Sequence, residues 1–167
     1  GAVERLCVDL DAKVSTVLVQ HSFPAYGLVL SFNKGFKLVY SGDTRPCNDL
    51  VTAGQGATLL LHEATHADEM RDKAVADRHC TVEEAVGVAR RMQASYTVLT
   101  HFSSRFEKQT PDLSVYPPGN AKAGAQIGCA VDGMEVRASR LGALQRVSTA
   151  ACALLAEEYD AGEDEAE

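Results

Sequence analysis

Three side chains able to hold a hydrolytic metal stand far apart in the sequence, each just after a run of β-forming residues. His21 follows VSTVLVQ, Asp43 follows FKLVY-Ser41-Gly42, and His101 follows YTVLT. Imidazole nitrogen and carboxylate oxygen are ordinary ligands of hydrolytic Zn2+ or Mn2+. An Asp set between two metals can bridge them around a water aimed at a phosphorus. A single His after a strand is more often just a satisfied polar residue; three such residues at three strand ends point to one shared centre. They do not complete a two-metal site, because a catalytic zinc takes about three protein ligands, so further ligands must come from elsewhere.

A second constellation competes. His62 to His66 spell HEATH, which satisfies the H-E-x-x-H pattern of zinc proteases. That pattern works only on a helix, where two His four residues apart share a face. Here the preceding ATLLL is short and apolar and follows the Gly-rich TAGQG, which favours a strand ending at His62. No third ligand follows at protease spacing. A protease is therefore the minority alternative, and a helix over 57–66 would revive it.

The elements that must position these residues alternate. VSTVLVQ, FKLVY, ATLLL and YTVLT read as strands buried on at least one face. Thr81 and Glu84 form a T-x-x-E capping box, and Val82, Ala85, Val86, Ala89 and Met92 recur at helical spacing behind it. Pro46 and Asp49 to Val51 suggest a shorter helix after the Asp43 loop. Gly119 to Gly128 reads as loop, Asp132-Gly133 as a two-residue hairpin turn between CAV and MEV, and Ala143 to Tyr159 as a closing helix. Polar, ligand-type residues thus gather at one end of several strands, the rim where layered α/β folds build their sites.

Composition sets outer bounds. The chain's 167 residues suffice for one core, and 46% hydrophobic with 23% charged residues is ordinary for a globular protein. No apolar run reaches the roughly 20 residues needed to cross a bilayer, and the opening GAVERLCVDLDAK lacks the features of a signal peptide. The five cysteines form no C-x-x-C pair, which argues for reduced thiols in an intracellular protein, with cytoplasm, nucleus and mitochondrion not distinguished. Of the net charge of -7, the seven acids between Glu157 and Glu167 account for all, leaving a formally neutral body and an acidic, solvated tail.

In order along the chain stand HSFPAYG, SGDTRPC, LLHEAT, HCTVEEA and LTHFSSRF. Their content, order and approximate spacing over about residues 14 to 136 resemble the successive motifs of the tRNase Z (ribonuclease Z) family: a His followed by a small-aromatic-Gly segment, SGDTxPC, HEAT, HST and HFSxRY. Cys80 stands where Ser is usual and Phe106 where Tyr is usual. The family's upstream HxHxDH occurs nowhere in these residues, and its tRNA-gripping arm and CCA-reading loop are not identifiable in them. The resemblance implies an α/β, metallo-β-lactamase-like αββα sandwich of which this chain is the second half. Residues 1–138 would form the C-terminal part of the nuclease domain, 139–156 a closing helix and 157–167 the acidic tail.

By that resemblance His21 would ligate one metal, His101 the other, and Asp43 would bridge both. The cofactor would be Zn2+, two per complete site, with Mn2+ or Mg2+ as alternatives. His79 would face the scissile phosphate and assist the leaving 3′-oxygen, with Glu63 accepting its other N–H. Thr81, Ser103 and Arg105 would contact phosphate; a plain N-cap competes for Thr81 and a surface ion pair for Arg105. The implied activity is removal of the 3′ trailer from pre-tRNA by a zinc-dependent endoribonuclease. The implied partners are pre-tRNA and the missing N-terminal part of the fold, in the same chain or a dimer partner, with no membrane. This piece alone is expected to be inactive. Another phosphodiesterase of the same fold, or a non-catalytic RNA-docking or assembly half, stay open as alternatives. Against the last, His21, Asp43, Glu63, His79 and His101 all survive.

Overall fold

The computed structural model describes residues 11–103, 111–116 and 124–164, those beyond Leu154 by backbone alone. Six strands make one mixed sheet in sequence order: β1 Ala12–Leu18, β2 Tyr26–Phe32, β3 Lys37–Tyr40, β4 Leu59–Glu63, β5 Tyr96–Thr100 and β6 Gln126–Cys129. β1, β2 and β3 pair antiparallel, and β3 to β6 run parallel. Parallel neighbours need crossovers, supplied by α1 (Asn48–Ala53) between β3 and β4, and by α2 (Arg71–Asp77) with α3 (Val82–Met92) between β4 and β5.

Helical spacing and capping act together in α3. Thr81 Oγ1 accepts the Glu84 amide and Glu84 accepts the Thr81 amide, so the expected capping box is complete. Val82, Ala85, Val86, Val88, Ala89 and Met92 are buried. Val88, Ala89 and Met92 form one cluster with Leu50 of α1 and with Val29, Val39 and Leu60, which project from one face of the sheet. Val82, Ala85 and Val86 form a second with Ala64, Cys80 and Leu99.

The other face is also apolar. Leu30, Leu38, Leu59 and Tyr96 are paired in one row across it, and Leu28, Tyr40, Leu61 and Val98 in the next. It is much less buried, with Tyr40 43%, Leu18 50% and Tyr26 55% exposed.

Three departures from the sequence reading have physical causes. β2 is absent from that reading, because Gly27 interrupts an otherwise β-rich run. The glycine is needed there, since a Cβ would lie 2.9 Å from Leu50 Cδ1 and 3.0 Å from the Tyr40 carbonyl. The Gly119–Gly128 stretch is not all loop, because β6 begins at Gln126. The Asp132-Gly133 turn closes, with the Met134 amide on the Val131 carbonyl, but no strand follows it among the described residues. The outer edge of β6, which such a strand would need, is taken by α4 (Leu144–Asp164). Ser148 Oγ accepts the Cys129 amide and donates to its carbonyl. Covering a strand edge with a helix is a standard way to satisfy it. The backbone of α4 extends past 156, into the segment expected as tail. Among the described residues no helix is long and apolar enough to cross a membrane.

Candidate active site at the sheet rim

The segments leaving the ends of β3 and β4 and the loop that precedes α3 converge on one carboxylate. Glu63, the last residue of β4, is 1% exposed. Its Oε1 accepts the Thr44 amide and His79 Nδ1, both at 2.9 Å. Its Oε2 accepts the Thr65 amide (3.1 Å), the Thr65 hydroxyl (2.8 Å) and the Cys80 amide (3.0 Å). Five donors compensate the burial of this charge. They also tie the Asp43 loop, the turn after β4 and the His79 loop to a single point.

Around it the predicted site residues fall into two overlapping clusters that share His79; the predicted ligands His21, Asp43 and His101 do not form a cluster of their own among the described residues. One oxygen or nitrogen from each of His21, Asp43 and His79 lies within 4.8 Å of the others, and so do those of Glu63, His79 and His101. His101 Nδ1 is 3.7 Å from Asp43 Oδ1. The His79 ring lies 4.8 Å from His21 and 5.4 Å from His101, centroid to centroid. Gly42 makes the bend that presents Asp43: its φ is +59° and a Cβ there would sit 2.7 Å from the Tyr26 carbonyl. His101 itself adopts φ +61°, an uncommon conformation for a side-chain-bearing residue and one that clusters at functional sites.

The tautomers follow from the partners. His21 Nδ1 faces the Arg78 carbonyl at 3.0 Å and therefore donates to it. His79 Nδ1 donates to Glu63. Thr65, having given its proton to Glu63, accepts from His101 Nδ1 at 2.8 Å. Each ring thus spends Nδ1 on the protein and keeps an Nε2 lone pair, the arrangement that orients imidazoles toward a metal or a proton acceptor. Two imidazoles and a carboxylate fit a borderline divalent ion. As a donor set for two ions they are short.

Other predicted contacts fare differently. Thr81 is 2% exposed and its oxygen caps α3, the plain structural role. Ser103 is half-buried, with its amide on the Thr65 carbonyl. Arg105 and Phe106 lie outside the described residues. The zinc-protease alternative fails: residues 59–63 are strand, so the consecutive His62 and Glu63 point to opposite faces. His62 is fully buried, its Nδ1 on the Glu63 carbonyl, and burial lowers its pKa and holds it neutral. His66 is nearly buried and sits 3.2 Å from Asp77. The Cys80 thiol donates to the Thr44 carbonyl, and burial, reinforced by Glu63 and Glu84, pushes its pKa far up, so it is no nucleophile.

Sequence reasoning passes over Thr65, Thr44, Arg78 and Arg45. Thr65 lies inside the quoted HEAT motif, but nothing in its type announces that one hydroxyl serves a carboxylate and two imidazoles. Arg78 accepts from His21 through its carbonyl and donates to the His21 carbonyl through Nη1, which only a tertiary fold can reveal.

The mixed sheet gathers imidazoles and carboxylates at its parallel rim, and comparison with known proteins places the fold. The Beta-lactamase superfamily domain matches residues 3–102. Zinc phosphodiesterase ELAC protein 2 of Rattus norvegicus is 46% identical over 121 residues, 72% of this chain and 14% of that protein. Ribonuclease Z 2, mitochondrial, of Schizosaccharomyces pombe is 44% identical over 110 residues, 64% of this chain and 16% of that protein. The crystal structure of a long form RNase Z from yeast superposes with a TM-score of 0.74 at 32% identity, covering 87% of this chain and 20% of that one. The chain belongs to the beta-lactamase superfamily, with the metallo-β-lactamase fold, and within it to the ribonuclease Z family. It spans about a seventh of the length of these curated relatives.

Proposed function

We propose that this chain is the metal-binding C-terminal part of an endoribonuclease that removes the 3′ trailer from pre-tRNA. The observation that carries the reading is the gathering of His21, Asp43, Glu63, His79 and His101 at one rim, each imidazole with its Nδ1 held by the protein. His21, Asp43 and His101 would hold zinc. When bound, the metal supplies charge neutralisation at the phosphate and acidification of a water. His79, held by Glu63 through Nδ1, would take up a proton at its Nε2 lone pair, forming an imidazolium beside the Glu63 carboxylate, and would pass that proton to the leaving 3′-oxygen, so the tRNA keeps a 3′-hydroxyl and the trailer a 5′-phosphate. Glu63 keeps that ring in one tautomer.

The remaining ligands come from the N-terminal part of the fold, in the same chain or in a dimer partner. The half-exposed apolar face of the sheet suits such a partner, since a sheet with two apolar faces needs a layer on each. Acting alone, the 167-residue chain does not turn over.

The test is trailer release by the full-length protein from a pre-tRNA, with end-group analysis of both products. The expected result is 3′-hydroxyl and 5′-phosphate ends and no cleavage by the Asp43→Ala variant. Wild-type rates in that variant refute the assignment. Equal cleavage of a simple phosphodiester and of pre-tRNA makes the protein a general phosphodiesterase of the same fold instead.

A further inference from the structure

We propose that Arg45, through its pairing with Glu84, is the residue that positions His79 against Asp43. This rests on the reading of the site just given. Arg45 lies two residues beyond Asp43, and its backbone amide donates to the carbonyl of Gln20, the neighbour of His21, at 2.8 Å. Its Nη1 donates to the His79 carbonyl at 2.5 Å and to Glu84 Oε2 at 2.6 Å, while Nη2 donates to Glu84 Oε1 at 2.5 Å. Arg45 therefore ties together the three segments that carry His21, Asp43 and His79, its backbone amide holding the His21 segment and its guanidinium the His79 segment.

Glu84 is anchored from its other side, because the same carboxylate accepts the Thr81 amide in the capping box. The two side chains are only 18% and 12% exposed, so solvent and salt screen the pair weakly. Burial alone would raise the Glu84 carboxyl. The hydrogen bonds from Arg45 and the Thr81 amide, with the charges of Arg45 and Arg71, instead hold it below the usual carboxylate range. Arg71 is a lesser partner, 3.6 Å from Glu84 and 71% exposed. The fork geometry matters, because a lysine can reach the His79 carbonyl or Glu84 but cannot bind the carboxylate with two parallel bonds. The other links between the Asp43 and His79 segments run through Glu63 and through the Cys80 thiol, a weak donor. The backbone of His79 is thus held by Arg45 and its ring by Glu63.

The test uses the full-length protein on a pre-tRNA bearing a 3′ trailer. R45M is expected to lower kcat by roughly ten- to a hundredfold with KM within about twofold, the scale for a reacting group displaced by about 1 Å. R45K recovers part of the loss. E84Q keeps the cap, since Gln serves at that position as Glu does, yet loses the ion pair and falls between wild type and R45M. The double variant R45M/E84Q is no slower than R45M, as for two halves of one device. A merely structural arginine would lower Tm without separating kcat from KM at temperatures where the protein stays folded. Wild-type kcat in R45M, a change in KM alone, or fully additive losses in the double variant overturn the proposal. Should the wild-type protein leave the substrate uncut, the nuclease reading falls, and positioning is decided by amide hydrogen exchange on the full-length protein. The Cys80 N–H, bonded to Glu63, then exchanges at least about tenfold faster in R45M if Arg45 holds the loop. Exchange at the wild-type rate overturns it.

Discussion

Replacing Glu63 by Gln removes one charge and turns one acceptor into a donor, and the five donors around the carboxylate decide which way the new amide turns. If the amide nitrogen takes the place of Oε2, it faces the Thr65 and Cys80 amides, neither of which can reverse. If it takes the place of Oε1, it faces the Thr44 amide, which cannot reverse, and His79 Nδ1, which can lose its proton to Nε2 and accept. The second arrangement strands only one buried donor, so the variant adopts it. A stranded buried amide costs about 1–3 kcal/mol, and weakening the bonds that had been charge-assisted adds about 1 kcal/mol. The expected loss is about 2–4 kcal/mol, or a Tm lower by roughly 5–15 °C for a domain of this size. Thermal unfolding of the chain followed by circular dichroism measures it. Nitrogen NMR of the imidazoles reads the second consequence, His79 shifting from the Nδ1–H to the Nε2–H tautomer while His21 stays as it was. A variant whose Tm lies within about 1 °C of wild type, or whose His79 tautomer is unmoved, would refute the claim that Glu63 organises the rim.

Other outcomes rest on the same geometry. Gly42→Ala forces a Cβ to 2.7 Å from the Tyr26 carbonyl at a left-handed φ; it should cost about 1–3 kcal/mol in denaturant unfolding and weaken Zn2+ binding by displacing Asp43. His62 has a pKa lowered by burial, so the unfolded chain takes up its proton first, and its contribution, full above the unfolded value near 6.5, is lost as pH falls toward the lower folded value. His62→Gln, which keeps a donor for the Glu63 carbonyl but cannot charge, should show a shallower fall of Tm between about pH 7 and 5; an identical slope would contradict this. Glu84 also titrates below its ordinary value, so its stabilisation is present above that value and disappears as pH falls through the folded one. E84Q should therefore flatten the acid limb of a stability–pH curve.

Local rules are legible where local physics decides. The T-x-x-E box and the spacing from Val82 to Met92 describe α3, and YTVLT matches β5 residue for residue. The gathering of ligand residues at strand ends is legible too, because strands that alternate with helices in a parallel sheet present their ends on one rim. The features that escape depend on tertiary partners. Gly27 hides a strand unless the Tyr40 carbonyl is known to lie against it. The Asp132-Gly133 turn looks like a hairpin until Ser148 is seen occupying the edge that a second strand would need. Thr65 and Arg45 carry no motif of their own, and their importance lies in contacts 36 and 39 residues away.

Metal content of the full-length protein and of four single-site variants tests the shared centre most directly. Each of His21→Ala, Asp43→Ala and His101→Ala should purify with less bound zinc than wild type, whereas His79→Ala should retain its zinc and lose trailer cleavage. Undiminished zinc in Asp43→Ala, or zinc lost from His79→Ala while cleavage persists, would show that these side chains do not share the work as the geometry of the rim implies.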